Sequence, residues 1–240
     1  MCETCGCHIP YIEKNGHDEQ AVKLIDVHAS LLAANAAQAK ENKAHFEKLE
    51  AVAVNMISSP GAGKTTLLEH TIEALSKELR IGVIEGDIET ERDAARIRAK
   101  GVPVVQLTTG GACHLDARLV HKGLHELVET SGWSHFDIIF IENVGNLVCP
   151  ASFDLGEHAR IVLVSVPEGS DKPAKYPKAF CSSQAFLITK TDLLPYFDFS
   201  IEEARKEALR HNPDLSILAF SAPAGSDFDS WLSYLRMLLK

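Results

Sequence analysis

Nine consecutive residues, Ser58 to Thr66, read Ser-Ser-Pro-Gly-Ala-Gly-Lys-Thr-Thr. This is the phosphate-loop pattern Gly-x-x-x-x-Gly-Lys-Thr with Ser58 at the first glycine position. Such a loop works when backbone N–H groups converge on phosphate oxygens at a helix N-terminus, where the helix dipole favours an anion. Gly61 and Gly63 supply the positive φ and close approach that this demands. Pro60, Ala62 and Thr66 complete the cradle. Lys64 is placed to meet the β- and γ-phosphates, and the Thr65 hydroxyl to coordinate Mg²⁺.

The base is read further along, at Thr189-Lys190-Thr191-Asp192, where GTPases carry Asn-Lys-x-Asp. A carboxylate at Asp192 accepts hydrogen bonds from the guanine N1–H and its 2-amino group. Adenine offers no such pair of donors, so Asp192 selects guanine while the Lys190 stem covers the ring. Thr189 in place of Asn is a departure that would loosen this loop. Ser221 and Ala222, after the next apolar run, offer backbone N–H groups to the guanine O6. Hydrolysis also needs acidic groups near Mg²⁺ and a means of orienting water. Asp87, in Glu85-Gly86-Asp87, is the first candidate for the Mg²⁺ and water side. Glu142, opening Glu142-Asn143-Val144-Gly145, is read as an outer group. The catalytic set expected is Lys64, Asp87 and Glu142. No glutamine stands in the Gly145 segment to orient water, so slow turnover is expected.

Of six cysteines, Cys2, Cys5 and Cys7 fall within the first seven residues, next to the Met1 amine and His8. Three thiolates and one nitrogen suit Zn²⁺ in a tetrahedral arrangement, or Ni²⁺ if the short chelate rings force a plane. A second set lies deeper in the chain. Cys113-His114 follows Thr108-Thr109-Gly110-Gly111 at the expected start of a helix, where a thiol pKa is lowered. Cys149 ends the loop Val144–Cys149. Convergence of Cys113, His114 and Cys149 would give two sulfurs and one nitrogen for Ni²⁺ or Zn²⁺, with a position left open. Cys181, mid-helix with no metal-type neighbour, reads as a small core residue.

These residues need a scaffold that brings distant loops to one edge. Apolar runs at Val52–Ile57, Ile81–Glu85, Val104–Leu107, Asp137–Glu142, Ile161–Val166, Ala185–Thr189 and Ser216–Phe220 are apolar at consecutive positions, as strands covered on both faces are. Helical stretches fall between them, near 64–79, 90–100, 114–130, 173–181 and 201–211, with a last one at 226–239. The pattern predicts an α/β fold of the P-loop NTPase type: a mostly parallel sheet with helices on both faces. Ligands then bind beyond the carboxyl ends of the strands, where every candidate loop lies. A flexible metal-binding leader is expected over 1–20 and a GTPase domain over 51–240. Between them, 21–50 reads as one long amphipathic helix, packed on the main domain or presented to a partner.

With 24 Lys+Arg against 33 Asp+Glu in 240 residues, the formal charge is −9 and no basic run is present, which argues against nucleic-acid and anionic-membrane binding. No apolar stretch reaches the roughly 20 residues of a membrane helix. Met1–Tyr11 is polar where an export signal needs a basic and then an apolar region. A cytoplasmic protein is expected, in which cysteines serve as metal ligands or core residues before disulfides.

Taken together, the leader Cys2-Glu3-Thr4-Cys5-Gly6-Cys7, the loop Ser58–Thr65, the segment Thr108–His114 and the run Glu142–Pro150 resemble the hydrogenase nickel-incorporation GTPases, the HypB family, essentially end to end. Ser58 and Glu142 depart from the general GTPase pattern in the way this family does. The resemblance implies a P-loop GTPase that uses Mg²⁺ with GTP and helps insert nickel into the large-subunit precursor of [NiFe] hydrogenase, with a HypA-type nickel chaperone as partner. It implies a GTP-promoted homodimer with Zn²⁺ or Ni²⁺ on Cys113, His114 and Cys149 near the dimer interface, and a tight nickel site on Cys2, Cys5 and Cys7. Of 11 histidines only His8 and His17 lie in the leader, so the histidine tract that serves bulk nickel storage in some members is not expected here. The urease accessory GTPases share the domain type but lack the three-cysteine leader. A metal-storage or metallochaperone module with a vestigial nucleotide site is the alternative from another class.

Overall fold

The computed structural model describes residues 19–87, 92–222 and 227–240, with side chains from residue 29 onward except that of Arg92. Residues 1–18 of the expected leader, including Cys2, Cys5 and Cys7, lie outside the described residues. All seven apolar runs form strands: β1 Val52–Ser58, β2 Ile81–Asp87, β3 Val104–Thr108, β4 Ile138–Glu142, β5 Ala159–Ser165, β6 Ala185–Thr189 and β7 Ser216–Ala219. They make one sheet in the order β3-β2-β4-β1-β5-β6-β7, and every pair is parallel. The chain leaves β1 toward one edge and, after β4, crosses to the other. The carboxyl end of β1, between β4 and β5, is therefore the switch point at which such sheets bind ligands.

Among the described residues, eight α-helices cover the sheet: α1 Glu19–Lys48, α2 Lys64–Leu75, α3 Arg92–Arg98, α4 Ala117–Ser131, α5 Lys172–Lys175, α6 Pro177–Cys181, α7 Ile201–His211 and α8 Phe228–Leu238. Side chains alternate across β1. Val54 and Met56 pack with Leu68 and Ile72 of α2 and Trp231 and Leu235 of α8. On the opposite face, Ala53 joins Phe46 of α1 and Val120 and Leu124 of α4, while Ile57 joins Phe180 of α6 and Ala204 of α7. Coverage of both faces is why consecutive strand residues are apolar. Each fully buried large side chain contributes roughly 1.5–3 kcal/mol.

α1 is fastened to the sheet domain by side chains as well as by Phe46. Asn42, fully buried, donates to Ala117 O (2.7 Å) and Leu155 O (3.1 Å). Asn35 donates to Asp154 O and accepts from Ala117 N. Gly156, at φ +84, lets the loop pass so close that a Cβ there would sit 2.3 Å from Ala39 O.

Two helices differ from expectation. The stretch expected over 114–130 starts only at Ala117, because Asp116 is extended and its carboxylate caps the helix by accepting from Leu119 N (2.8 Å). Cys113 and His114 thus precede the helix, and the helix-start argument for the Cys113 thiol does not apply. The stretch expected over 173–181 divides into α5 and α6 at Tyr176, whose φ of −127° breaks the helix ahead of Pro177. Cys181 is the last residue of α6 rather than mid-helix, half-buried, with its thiol donating to His211 O at 3.4 Å. Residues 88–91 and 223–226, at the starts of two expected helices, lie outside the described residues.

Candidate functional site

Where β1 ends, Gly61 (φ +76) and Gly63 (φ +94) turn the chain into α2, with Gly63 at the helix N-cap. No side chain caps this terminus, so its first-turn N–H groups face the loop's concavity. Pro60, Gly61, Gly63, Lys64, Thr65 and Thr66 line one wall of a cleft of about 450 Å³, and Asp87, Glu142 and Lys190 line it from other strands. Ala62 is buried beneath the loop. The Lys64 ammonium donates to Ser58 Oγ at 2.7 Å, and its pKa is lowered by burial against the pull of Glu142. Ser58 therefore makes a contact that glycine could not: its hydroxyl accepts from the lysine.

The acidic wall is built by register. β2 and β4 pair Glu85 with Glu142, and β1 lies on the far side of Glu142 through Met56. The Thr65 hydroxyl donates to Glu142 Oε1 at 2.7 Å, while Glu142 Oε2 and Glu85 Oε2 are buried with no hydrogen-bond partner. Burial pushes the Glu142 carboxyl up to about 7. Burial, then Glu142 and Asp87, push that of Glu85 up to about 8. Orphaned carboxylate oxygens beside a threonine hydroxyl in a phosphate cleft are donors suited to a hard divalent cation, so the residues fit Mg²⁺. Glu142, expected as an outer group, accepts directly from Thr65, whose hydroxyl is the one expected to meet Mg²⁺, and Asp87 stands at the cleft wall. Glu85 and Arg96 also line the cleft, and neither was singled out from sequence. Arg96 is held by Glu69 and Asp93 and lies 3.4 Å from Thr66 Oγ1. Only the pairing of strands and the docking of α3 bring them there.

At the end where the base is expected, Lys190 takes a left-handed conformation (φ +58) and donates to Gly61 O at 2.8 Å. The Thr189 hydroxyl donates to Ala62 O at 2.7 Å, so the expected loosening is absent: threonine itself ties β6 to the phosphate loop. The Ser221 hydroxyl donates to the Asp192 carboxylate, which joins the two expected guanine-reading segments, with Ala222 following.

Cys113, His114 and Cys149 converge. Their ligand atoms all lie within 4.8 Å of one another, with Cys113 Sγ 3.9 Å from His114 Nδ1. The hydrogen bond with Cys113, followed by burial, raises the Cys149 thiol pKa, and burial lowers that of the His114 ring. His114 packs on Phe153 with 4.0 Å between centroids and the rings tilted by 33°. Two thiols and an imidazole at this spacing are a donor set for Zn²⁺ or Ni²⁺.

The cluster is tied to the phosphate cleft at three places. Ser58, at the end of β1, bridges Asn146, whose amide donates to Cys113 O (3.2 Å) and accepts from Val148 N (2.9 Å). Gly145 presses on the phosphate loop, where a Cβ would lie 3.0 Å from the Cα of Pro60. Asn143, directly after Glu142, accepts from Leu115 N, directly after His114, at 3.0 Å. Neither Asn143 nor Asn146 announces this role in sequence, because their partners lie 28 and 33 residues away.

Residues 52–219 match the family described as CobW/HypB/UreG, nucleotide-binding domain. The hydrogenase maturation factor HypB of Azotobacter chroococcum is 47% identical over 214 residues, covering 89% of this chain and 69% of that protein. HypB of Rhizobium leguminosarum is 44% identical over 232 residues, 97% of this chain and 74% of that one. The solved structure of HypB from Helicobacter pylori in complex with nickel superposes with a TM-score of 0.82 at 37% identity, over 86% of this chain and 95% of that one. Carrying the phosphate loop on the same all-parallel sheet, and matched along most of its length, the chain belongs to the HypB family of hydrogenase maturation factors.

Proposed function

We propose that the protein is a Mg²⁺-dependent GTPase that couples its nucleotide state to the handling of nickel during [NiFe] hydrogenase maturation. The observation that carries this reading is the threefold tie between the phosphate loop and the Cys113–His114–Cys149 cluster.

GTP enters with its phosphates against the α2 N-terminus, where the N–H groups of Gly61 to Thr66 donate to them. Lys64 leaves Ser58 Oγ for the β- and γ-oxygens, a short move for a side chain already in the cleft. Asp192 accepts from guanine N1–H and the 2-amino group, held by Ser221, while the Lys190 stem covers the ring. Thr65, Glu142 and Asp87 would hold Mg²⁺, which supplies charge neutralisation at the β- and γ-oxygens when bound. Asp87, on the cleft wall, would serve the water side of the reaction.

Nickel is treated as cargo. Cys2, Cys5 and Cys7 of the leader would form a tight site, while Cys113, His114 and Cys149 would form a second, able to take Ni²⁺ or Zn²⁺. The nickel-bound HypB of Helicobacter pylori supports the metal assignment. When the γ-phosphate draws on the Ser58–Pro60 segment, Asn146 and Gly145 move with it and carry the Cys113 and Cys149 loops. A GTP-promoted homodimer, a HypA-type chaperone and the hydrogenase large-subunit precursor complete the reading, in the cytoplasm. Among the described residues, no helix is long and apolar enough to cross a membrane.

The test is GTP turnover by the purified protein and by Lys64→Ala, alongside metal affinity measured with GDP and with a non-hydrolysable GTP analogue. Turnover that survives Lys64→Ala, or nickel binding without any turnover, would return the protein to the metal-storage class.

A further inference from the structure

Away from the nucleotide cleft, two helices bring three histidines together. His121 and His125, four residues apart, share one face of α4, and His45 faces them from the last turn of α1. Their ligand atoms all lie within 4.8 Å of one another. The ring centroids are 4.6 Å apart for His121 and His125, and 4.8 Å for His45 and His125.

The ring orientations are set from below. Asn42 is fully buried and spends its amide N–H groups on Ala117 O and Leu155 O, so its Oδ1 is left as an acceptor and faces His121 Nδ1 at 3.0 Å. A carbonyl oxygen there requires the proton on Nδ1, which leaves the Nε2 lone pair of His121 facing outward. An outer oxygen that accepts the second N–H of an imidazole is the usual support of a metal-ligating histidine. That Nε2 lies 3.2 Å from His125 Nε2. Two nitrogens on a tetrahedral zinc at 2.0–2.1 Å stand about 3.3 Å apart. The pair is thus at ligand spacing already, and His45 is within reach of a ring rotation.

We propose that His45, His121 and His125 form a three-imidazole site for a divalent first-row transition ion, Zn²⁺ or Ni²⁺, separate from the Cys113–His114–Cys149 cluster and held by Asn42. Its all-nitrogen donor set differs from the sulfur-rich sets elsewhere in the chain, and imidazole nitrogen suits borderline ions such as Zn²⁺ and Ni²⁺. An ion there would clamp the end of α1 to α4, the helix that begins three residues after His114. The proposal does not depend on the nucleotide reading.

The test uses the full-length chain with Cys2, Cys5, Cys7, Cys113 and Cys149 changed to serine, titrated with Co²⁺ and Zn²⁺. One equivalent of Co²⁺ should bind with visible d–d bands and without the near-ultraviolet thiolate-to-cobalt band. Zn²⁺ should displace it and raise the thermal midpoint. His45→Gln and His125→Gln, each on a partly exposed side chain, should each weaken binding by at least the roughly 10–100-fold that loss of an outer-shell partner costs. Circular dichroism of each variant verifies its folding. No bound Co²⁺ in the serine chain, or binding unchanged by both glutamine variants, would overturn the site and leave a histidine pair joined by a hydrogen bond.

Discussion

Thr65 and Glu142 stand 77 residues apart, and the hydroxyl of one donates a 2.7 Å hydrogen bond to Oε1 of the other while Glu142 Oε2 is buried without a partner. The bond links the α2 N-terminus to the end of β4 and presents an unpartnered carboxylate oxygen beside the hydroxyl proposed to coordinate Mg²⁺.

Glu142→Gln keeps an acceptor for Thr65 and removes the charge. GTP turnover is expected to fall by about 10²–10³-fold, the range seen when one preorganised electrostatic group is lost. The Mg²⁺ concentration needed for half-maximal turnover should rise. Phosphate release measured across a Mg²⁺ titration checks both, and a wild-type Mg²⁺ dependence would remove Glu142 from the metal's surroundings. Asp87→Asn in the same assay ranks the two carboxylates.

Lys64→Ala should abolish hydrolysis. Asp192→Ala should cost about 1.5–3 kcal/mol of guanine binding, the worth of hydrogen bonds to a charged group, or roughly 10–150-fold in preference for GTP over ATP. Competition of each nucleotide against a fluorescent GDP reads this directly. Equal affinities for GTP and ATP in the unaltered protein would mean that the base assignment is wrong.

Deleting residues 1–8 should remove one tight Ni²⁺ site and leave GTP hydrolysis at its original rate, because the leader's ligands are all local in sequence. Equilibrium dialysis with nickel gives the stoichiometry. An unchanged count of tight sites sinks the leader assignment.

Asn146 joins Ser58 to Cys113, so it should carry part of the coupling between metal and nucleotide. In the leader-deleted protein, the metal dissociation constant should differ between GDP and a non-hydrolysable GTP analogue by about 1–3 kcal/mol, with the reciprocal effect on nucleotide affinity. Asn146→Ala should shrink that difference while both ligands still bind. Equal constants in the two nucleotide states would leave a static zinc that only braces the loops.

The pair Glu157–Arg160 should set part of the acid stability. Burial, the largest single influence, would raise the Glu157 pKa, but the Arg160 guanidinium at 2.6 Å, Asn55 Nδ2 and the backbone N–H groups of Glu157 and Leu155 together outweigh it and hold it below the usual carboxylate range. A lowered folded-state pKa means that the unfolded chain binds more protons as the pH drops. The stabilisation is thus present above the ordinary value of 4.5 and is lost as pH falls through the lower folded-state value. Glu157→Gln should destabilise the protein at pH 7 by about 3–5 kcal/mol, since it leaves a buried guanidinium without its partner. Denaturant midpoints of wild type and variant should converge as the pH approaches 3. A constant gap would show that the ion pair does not govern the acid limb.

The sequence by itself determined the strands, the phosphate loop and the candidate ligands, because each is a local signal. Consecutive Val and Ile mark a strand covered on both faces, and Gly-Ala-Gly-Lys-Thr after such a strand has one well-known physical use. Tertiary structure decided what those residues touch. Glu142 reaches Thr65 because β4 pairs beside β1. Glu85 becomes a second buried carboxylate because β2 pairs beside β4 in register. The start of α4 at Ala117 was settled by the Asp116 cap, one residue whose side-chain bond outweighed a continuing helical pattern. Thr189 reaches Ala62 across 127 residues, a tie that sequence separation hides where the replacement of Asn suggested only a looser loop. His121 and His125 carry a helical spacing that can be read directly, but their third member, His45, and the asparagine that orients them belong to α1. That convergence exists only once Phe46 and Asn42 have packed the helix against the sheet, because burial of apolar area, not local propensity, fixes where one helix lies on another.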